Sequence, residues 1–429
     1  MLLRLPNPAA RLAVLAFAVL LFLTLTFFSI RGARAAYQSA LSTRSGYEAA
    51  VRLEPGNPGN WYLLGRYWQY SLDEPDPRRA IGNFRRALAL NPRYVDAWLD
   101  LAAVYEFEGD FSAARDAYLQ ARNAYPISAT VAWRYGNFLL RQEQVAPAFA
   151  EIRRAVYVDP KRSAEAFSRC WRVDPNVESI LDQVIPPDRV AYLDIIRELA
   201  VADQLDDTLA VWRRLLSLHP RMSPSDVTFF ADFLIQKGHF EDAHRVWLDA
   251  LSLSGVVTGD PQGSVVWDGG FESSVRGGGF SWTYPVASPG VLASLDPRQK
   301  HSGRQSLRLL FTGKRNINFD GVCENIEVQP QTTYRFSAWV RTQMLTGDEG
   351  IRFRIYSFSD SQVLGYTDSQ DSRGTQPWTL LTMPWSSGRD IHRARVCVLR
   401  NLSRGFDPRI QGTAWIDDVS LVPVGASGP

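Results

Sequence analysis

The chain is poor in cysteine, in lysine and in catalytic signatures. Its 429 residues include three Cys (Cys170, Cys323, Cys397) and no CxxC spacing. That excludes a disulfide-dense scaffold and a cysteine-based structural zinc site. Only four of the 47 basic residues are Lys, a compositional bias without chemical content. There is no GxSxG, P-loop, GxGxxG or HExxH. His239 and His244 are five apart, the wrong spacing for two ligands on one helical face. Asp206-Asp207 and Asp417-Asp418 are adjacent pairs, not an acid and a base facing across a cleft. The sequence therefore predicts no enzyme. An excess of one charge sign is missing as well. Residues 1–36 carry four Arg and no acid, residues 37–255 carry 25 basic and 29 acidic groups, and residues 256–429 carry 18 and 16. No block offers the phosphate-neutralising surface that nucleic acid needs.

What is present is a globular composition, 45% hydrophobic and 21% charged, in a chain long enough for two or three domains. Leu12 to Ile30 is a run of 19 residues without a charge. At about 1.5 Å per residue it matches the ~30 Å hydrocarbon core of a bilayer. Arg4 and Arg11 precede it and Arg31, Arg34 and Arg44 follow, so the flanking charges orient it poorly. Two fates stand open. The run is longer than a cleaved signal's apolar region, which favours an uncleaved single-span anchor. Ala33-Arg34-Ala35 has the small-x-small form of a processing site, and cleavage near Ala35 would release the rest. The expected location is the bacterial inner (cytoplasmic) membrane, single-pass, with the bulk extracytoplasmic.

The middle repeats itself. Pro92, Pro126 and Pro160 recur every 34 residues, and Ala87, Ala121 and Ala155 do so five positions earlier. One copy reads Trp61, Leu64, Gly65, Trp68, Ala80, Phe84, Ala87, Pro92; the next reads Trp98, Leu101, Ala102, Tyr105, Ala114, Tyr118, Ala121, Pro126. This resembles the tetratricopeptide repeat, in which each copy is a helical hairpin that cannot bury its apolar face alone. Tyr47, Ala50 and Pro55 form the second half of an earlier copy, residues 161–187 a degenerate one, and the pattern restarts over 188–255. The resemblance implies a protein partner held along the first helices of the copies. Carried onto this register, the groove residues are Tyr62, Arg66, Gln69 and Tyr70, then Leu99, Glu106 and Phe107, then Trp133, Asn137 and Arg141.

After a Gly/Pro-rich linker at 256–263 the period changes to two. Tyr334 to Arg341 and Ile351 to Tyr356 alternate strictly, and turn residues separate about ten such runs. That is the pattern of an all-β jelly-roll sandwich over 264–424, with 425–429 as a tail. The order WDGGFE (267–272), HSGRQSL (301–307), QTTYRFSAWVR (331–341) and GTAWIDDVSL (412–421) resembles the galactose-binding-domain-like jelly rolls, most of all carbohydrate-binding module families four and nine. The resemblance implies polysaccharide binding. Sugar rings want flat aromatic faces with fixed polar groups beside them. The outward phase of the alternation offers Trp339, Arg352, Arg354 and Tyr356, and Trp282, Trp385, Tyr284 and Tyr366 are further aromatics. The resemblance also implies a structural Ca²⁺ on Glu272 and Asp417 or Asp418, against the alternative that these carboxylates only tie the first and last strands together. Cys323 and Cys397 share the outward phase and can form a disulfide in an oxidising compartment. The expectation is thus a cytoplasmic tail and transmembrane helix over 1–36, an all-α solenoid over 37–255 and an all-β sandwich, serving surface or exopolysaccharide assembly. The alternative is a purely structural scaffold of an envelope or secretion complex without sugar binding.

Overall fold

The computed structural model describes residues 7–255, 263–273, 277–283, 287–359, 362–406 and 408–425. Most of the expected linker, Tyr284 and most of the tail lie outside the described residues. The chain forms two compact units, Met1–Pro187 and Asp188–Pro429.

Unit one is a stack of helical hairpins. In order they are α1 (Pro8–Ala40) with α2 (Arg44–Leu53), α3 (Pro58–Tyr70) with α4 (Pro77–Leu90), α5 (Val95–Phe107) with α6 (Phe111–Ala124), α7 (Ala129–Arg141) with α8 (Val145–Val158), and α9 (Ser163–Trp171) with α10 (Val177–Gln183). Several starts have a local cause. Asn57, Asp76, Asp110 and Ser128 accept a backbone N–H of the first turn, and Pro58 and Pro77 occupy helix positions where no donor is needed. The repeat signature also acts between copies: the indole N–H of Trp61 donates to the Pro55 carbonyl and that of Trp98 to the Pro92 carbonyl. Gly65 is needed for close approach, because a Cβ there would stand 2.7 Å from the Phe84 ring.

The half copy read from Tyr47, Ala50 and Pro55 is a whole hairpin. Its first helix is the far end of α1, which runs 33 residues without a break. From Leu12 to Ile30 nearly every side chain is exposed, and the helix is long and apolar enough to cross a membrane. Beyond Ile30 it packs. The Arg31 guanidinium donates to the Leu53 carbonyl, Ala35 is fully buried, and the Ser39 hydroxyl donates to Asn60 at 3.3 Å. A domain edge at residue 36 therefore falls inside a continuous helix.

Unit two begins with two more hairpins, α11 (Arg189–Val201) with α12 (Leu205–Ser217) and α13 (Thr228–Gln236) with α14 (Phe240–Ser254). The sandwich follows as β1 (Ala287–Ser288), β2 (Val291–Asp296), β3 (Ser306–Thr312), β4 (Phe319–Glu327), β5 (Thr333–Leu345), β6 (Arg352–Ser359), β7 (Gln362–Asp368), β8 (Gly374–Ser386), β9 (Arg393–Arg400) and β10 (Gln411–Pro423). One sheet has the order β1-β2-β3-β10-β5-β8, the other β4-β9-β6-β7, and all pairings are antiparallel. The alternation resolves as read: Tyr334, Phe336, Ala338 and Val340 meet Phe353, Ile355, Val396 and Val398 in the core.

The compact boundary is at Pro187, not at the expected linker, because the last hairpin packs on the sandwich. Trp247, 1% exposed, lies edge-on to Trp267 at 5.4 Å and leans on Gly279, where a Cβ would stand 3.0 Å from its ring. Phe240 packs on Phe280 at 5.1 Å, Asp232 accepts the Gly279 N–H at 2.7 Å, and His244 pairs with Glu327.

Candidate functional site

Three places carry convergent polar and aromatic side chains. The first is the face formed in unit one by α3, α5 and α7, the first helices of successive hairpins. At its centre is Asp100, 5% exposed. The Tyr62 hydroxyl donates to it at 3.0 Å, Arg134 donates at 3.1 Å and Arg66 stands at 3.7 Å. Tyr62 also packs on Tyr94 at 4.9 Å, and Arg66 lies over Tyr70 at 5.4 Å. Burial and the nearby Asp100 carboxylate push the Tyr62 hydroxyl up, so it stays a donor. About two turns further along the same helices, Arg141 grips Glu106 with two bonds of 2.6 and 3.0 Å. Burial, then Glu106, push the Tyr118 hydroxyl up to about 12. Beyond that, Arg162 and Arg169 both stand 5.2 Å over Trp133, and Arg169 donates to Asn137 at 2.9 Å.

Most of the residues carried over from the repeat register share this face: Tyr62, Arg66, Tyr70, Glu106, Trp133, Asn137 and Arg141. Phe107 is 81% exposed and Gln69 half-buried. Leu99 does not belong to a groove, since at 1% exposure it is core. Asp100 and Arg134 were not foreseen. Their signal was present, because they occupy the same position of consecutive copies with opposite charge.

The second place is the outer face of the sheet β4-β9-β6-β7. Tyr356 and Tyr366 are cross-strand partners with ring centres 6.1 Å apart, and Tyr366 is 60% exposed. Arg354 lies 3.8 Å over the Tyr366 ring and is held at 2.6 Å by Asp368, whose hydrogen bond raises the guanidinium's pKa. Arg352 pairs with Glu349. Helices α13 and α14 cover the other half of the face, where Arg393 stacks on Phe240 at 5.2 Å and Arg395 is bonded to Asn325.

Trp339, grouped with these residues in the sequence reading, belongs to the opposite sheet. It stacks on His301 at 3.9 Å and 15°, with Trp378 edge-on to His301 at 5.8 Å. It borders a cavity of about 1010 Å³, together with Glu272, Arg304 and Trp267. Trp282 and Trp385 are 2% and 4% exposed and belong to the core; rings without an open face cannot stack on a sugar. The outward-phase cysteines are joined. Cys323 and Cys397 stand directly opposite on β4 and β9 and form a disulfide.

The third place is a carboxylate clasp between the first and last segments of the sandwich. A bulge in β10 shifts the register between Asp417 and Ser420, with Asp418 at φ 47°. This brings both carboxylates to one loop. Asp417, fully buried, accepts the backbone N–H groups of His301 (2.8 Å), Ser302 (3.1 Å) and Asp418 (2.9 Å). Asp418 meets His301 Nδ1 at 2.6 Å and accepts the Ser302 hydroxyl at 2.7 Å. Glu272 accepts backbone N–H groups of Arg304 and Gln305 and the Arg304 guanidinium. Gly269 cannot carry a Cβ here, which would stand 1.8 Å from the Val419 carbonyl oxygen.

The donor set tests the implied Ca²⁺. Every carboxylate oxygen of Glu272, Asp417 and Asp418 already has a protein partner, and a guanidinium holds Glu272. Among the described residues no group of three or more His, Cys, Asp or Glu is placed to hold a metal ion. The residues fit the strand-tying alternative rather than a calcium site. Millimolar Ca²⁺ added after chelation is expected to move the unfolding midpoint by under about 1 °C, because only binding to the folded form stabilises it. A rise of about 5 °C in a thermal scan would contradict this.

Comparison with known proteins gives a matching family model and several similar folds. Residues 71–128 match the tetratricopeptide repeat model. The general transcriptional corepressor ssn6 of Schizosaccharomyces pombe is 25% identical over 174 residues, covering 33% of this chain, and the chain spans 16% of that protein's length. Among solved structures, a family 16 carbohydrate-binding module is similar at 17% identity, over 37% of this chain and 99% of that one, TM-score 0.27. YrrB, described as a tetratricopeptide repeat protein with an unusual peptide-binding site, is similar at 17% identity over 41% and 93%, TM-score 0.30. The C-terminal family 22 carbohydrate-binding module of Clostridium thermocellum Xyn10B is similar at 18% identity over 40% and 100%, TM-score 0.28.

Proposed function

We propose that the chain is a membrane-anchored, extracytoplasmic and non-catalytic adaptor. Its helical repeats hold a protein partner and its sandwich presents a glycan platform, in surface or exopolysaccharide assembly. The observation that carries this reading is that half-exposed aromatic and guanidinium side chains line open faces of a chain whose long apolar helix continues into its first repeat. That continuity favours the anchor over release: cleavage near Ala35 would sever a packed helix at a fully buried residue. The Cys323–Cys397 bond supports an oxidising compartment.

For the glycan, the supporting geometry is the open half of the four-stranded sheet, where Tyr356, Tyr366 and Arg354 combine flat faces with a fixed charge. Arg352 extends it. The scaffold reading is favoured by a different fact, that α13 and α14 already occupy the other half of this face.

Two measurements test the proposal. Purified protein should have the intact mass of a chain that keeps residues 1–35 and should resist alkaline extraction from membranes; a mature chain starting at Ala36 would refute the anchor. On a glycan array, Tyr366→Ala with Arg354→Ala should abolish binding, each ring or charged contact being worth about 1 kcal/mol or more. Wild-type protein that binds no glycan while retaining a co-purifying protein would favour the scaffold.

A further inference from the structure

We propose that the face of α3, α5 and α7 selects an acidic, extended polypeptide segment, whose carboxylates meet Arg66, Arg134 and Arg141. This rests on the reading that the repeats hold a protein partner, and it adds that partner's chemistry.

The argument begins with depth. The side chain of Asp100 is 7% exposed, while Arg66 and Arg134, which share it, are 50% and 40% exposed. Glu106 is 18% exposed beneath an Arg141 that is 52% exposed. The anions lie at the bottom and the guanidiniums at the top. At the centre one buried carboxylate serves two guanidiniums, and a further acid, the exposed Asp96, lies one turn before it on α5. A guanidinium has five N–H donors in a planar fork; Arg134 uses one on Asp100 and also hydrogen-bonds Tyr70, while Arg66 stands 3.7 Å from Asp100 over the Tyr70 ring. The remaining N–H groups of these half-exposed side chains suit carboxylates.

The other groups on the face agree. Tyr62, Tyr70 and Tyr94 wall the pair with rings and keep their hydroxyls protonated, since burial raises all three. Asp96 opens α5 within electrostatic reach of Tyr62 and Tyr94, and Glu108 follows its end, so these two exposed acids stand at the two ends of the helix. A basic segment would have to reach Asp100 and Glu106 through the arginines above them. A neutral one would gain nothing from the row.

The test uses the full chain in detergent and labelled peptides of about 12 residues, identical except for Glu, Gln or Lys at alternate positions. The Glu peptide should bind at least about tenfold tighter than the Gln peptide, two or three exposed charge pairs being enough for that ratio. The preference should shrink by a similar factor when salt rises from about 50 to 300 mM. Arg66→Gln with Arg134→Gln should erase it while circular dichroism shows the repeats still folded at the assay temperature, and Arg78→Gln on α4 should not. Arg134→Lys should keep part of it, as a charge without the fork. Equal binding of the Gln or Lys peptide, or a preference that survives the double substitution, overturns the proposal. If binding is charge-blind but lost in Tyr62→Ala with Tyr70→Ala, the docking reading stands and only the acidic selectivity fails. If no peptide binds, both fail. If an acidic polysaccharide such as polygalacturonate binds through Arg66 and Arg134 while the Glu peptide does not, the face is a glycan site and the proposal is wrong.

Discussion

Reducing the Cys323–Cys397 bond should lower the stability of the second unit by about 4 kcal/mol, the loop-closure value for its 74-residue separation. For a domain of this size that is a fall of roughly 10 °C in the unfolding midpoint. The bond joins β4 to β9, whose inward residues Val322, Ile326, Val396 and Val398 all lie in the core. Without the bond the two strands are held by their ladder and packing alone. Calorimetry with and without a phosphine reductant measures the difference; coincident midpoints would show that the bond contributes nothing. A thiol count gives an independent check. Cys170 is fully buried and burial pushes its thiol up to about 12, so the native protein should react with no thiol reagent. The unfolded chain should expose one thiol, and the unfolded, reduced chain three.

Asp417→Ala should be the most damaging single change at the clasp, costing about 4 kcal/mol. Three backbone donors, from His301, Ser302 and Asp418, would lose the acceptor that the buried Asp417 side chain supplies. Each orphaned donor costs about 1–3 kcal/mol. The neighbouring bulge would also lose the group that holds it. Asp417→Asn keeps one carbonyl oxygen as an acceptor and should cost about half as much. Urea titration of the two variants orders them, and a loss below about 1 kcal/mol in the alanine variant would mean that water replaces the carboxylate.

Much of this was legible because it depends on period. The 34-residue recurrence specified hairpins, and the Gly65–Phe84 contact explains why a small residue recurs where two helices cross. Strict alternation in β5 and β6 specified which side chains point inward. What it left open was which sheet each strand joins. Trp339 and Tyr356 share an outward phase but stand on opposite sheets, because phase is a property of one strand and sheet membership is decided by long-range pairing. Trp282 and Trp385 lie outside the alternating runs, and only the packed core reveals that both are interior. Local pattern was equally silent about the α13–α14 hairpin, whose packing on β4 and β9 follows from Trp247, Phe240 and Asp232 meeting the loop around Gly279. The sequence left open which of Asp417 and Asp418 would serve the clasp; a bulge makes them two arms of one grip.

Because α1 has no joint where the apolar stretch ends and packing begins, the first repeat has no swivel. Its ten helical residues beyond Ile30 amount to a stiff stalk of about 15 Å. On the proposed anchored reading, any lean of the apolar stretch is transmitted to the first hairpin as rotation, so lipid thickness and neighbouring membrane helices would steer the direction in which the arginine-bearing surface looks.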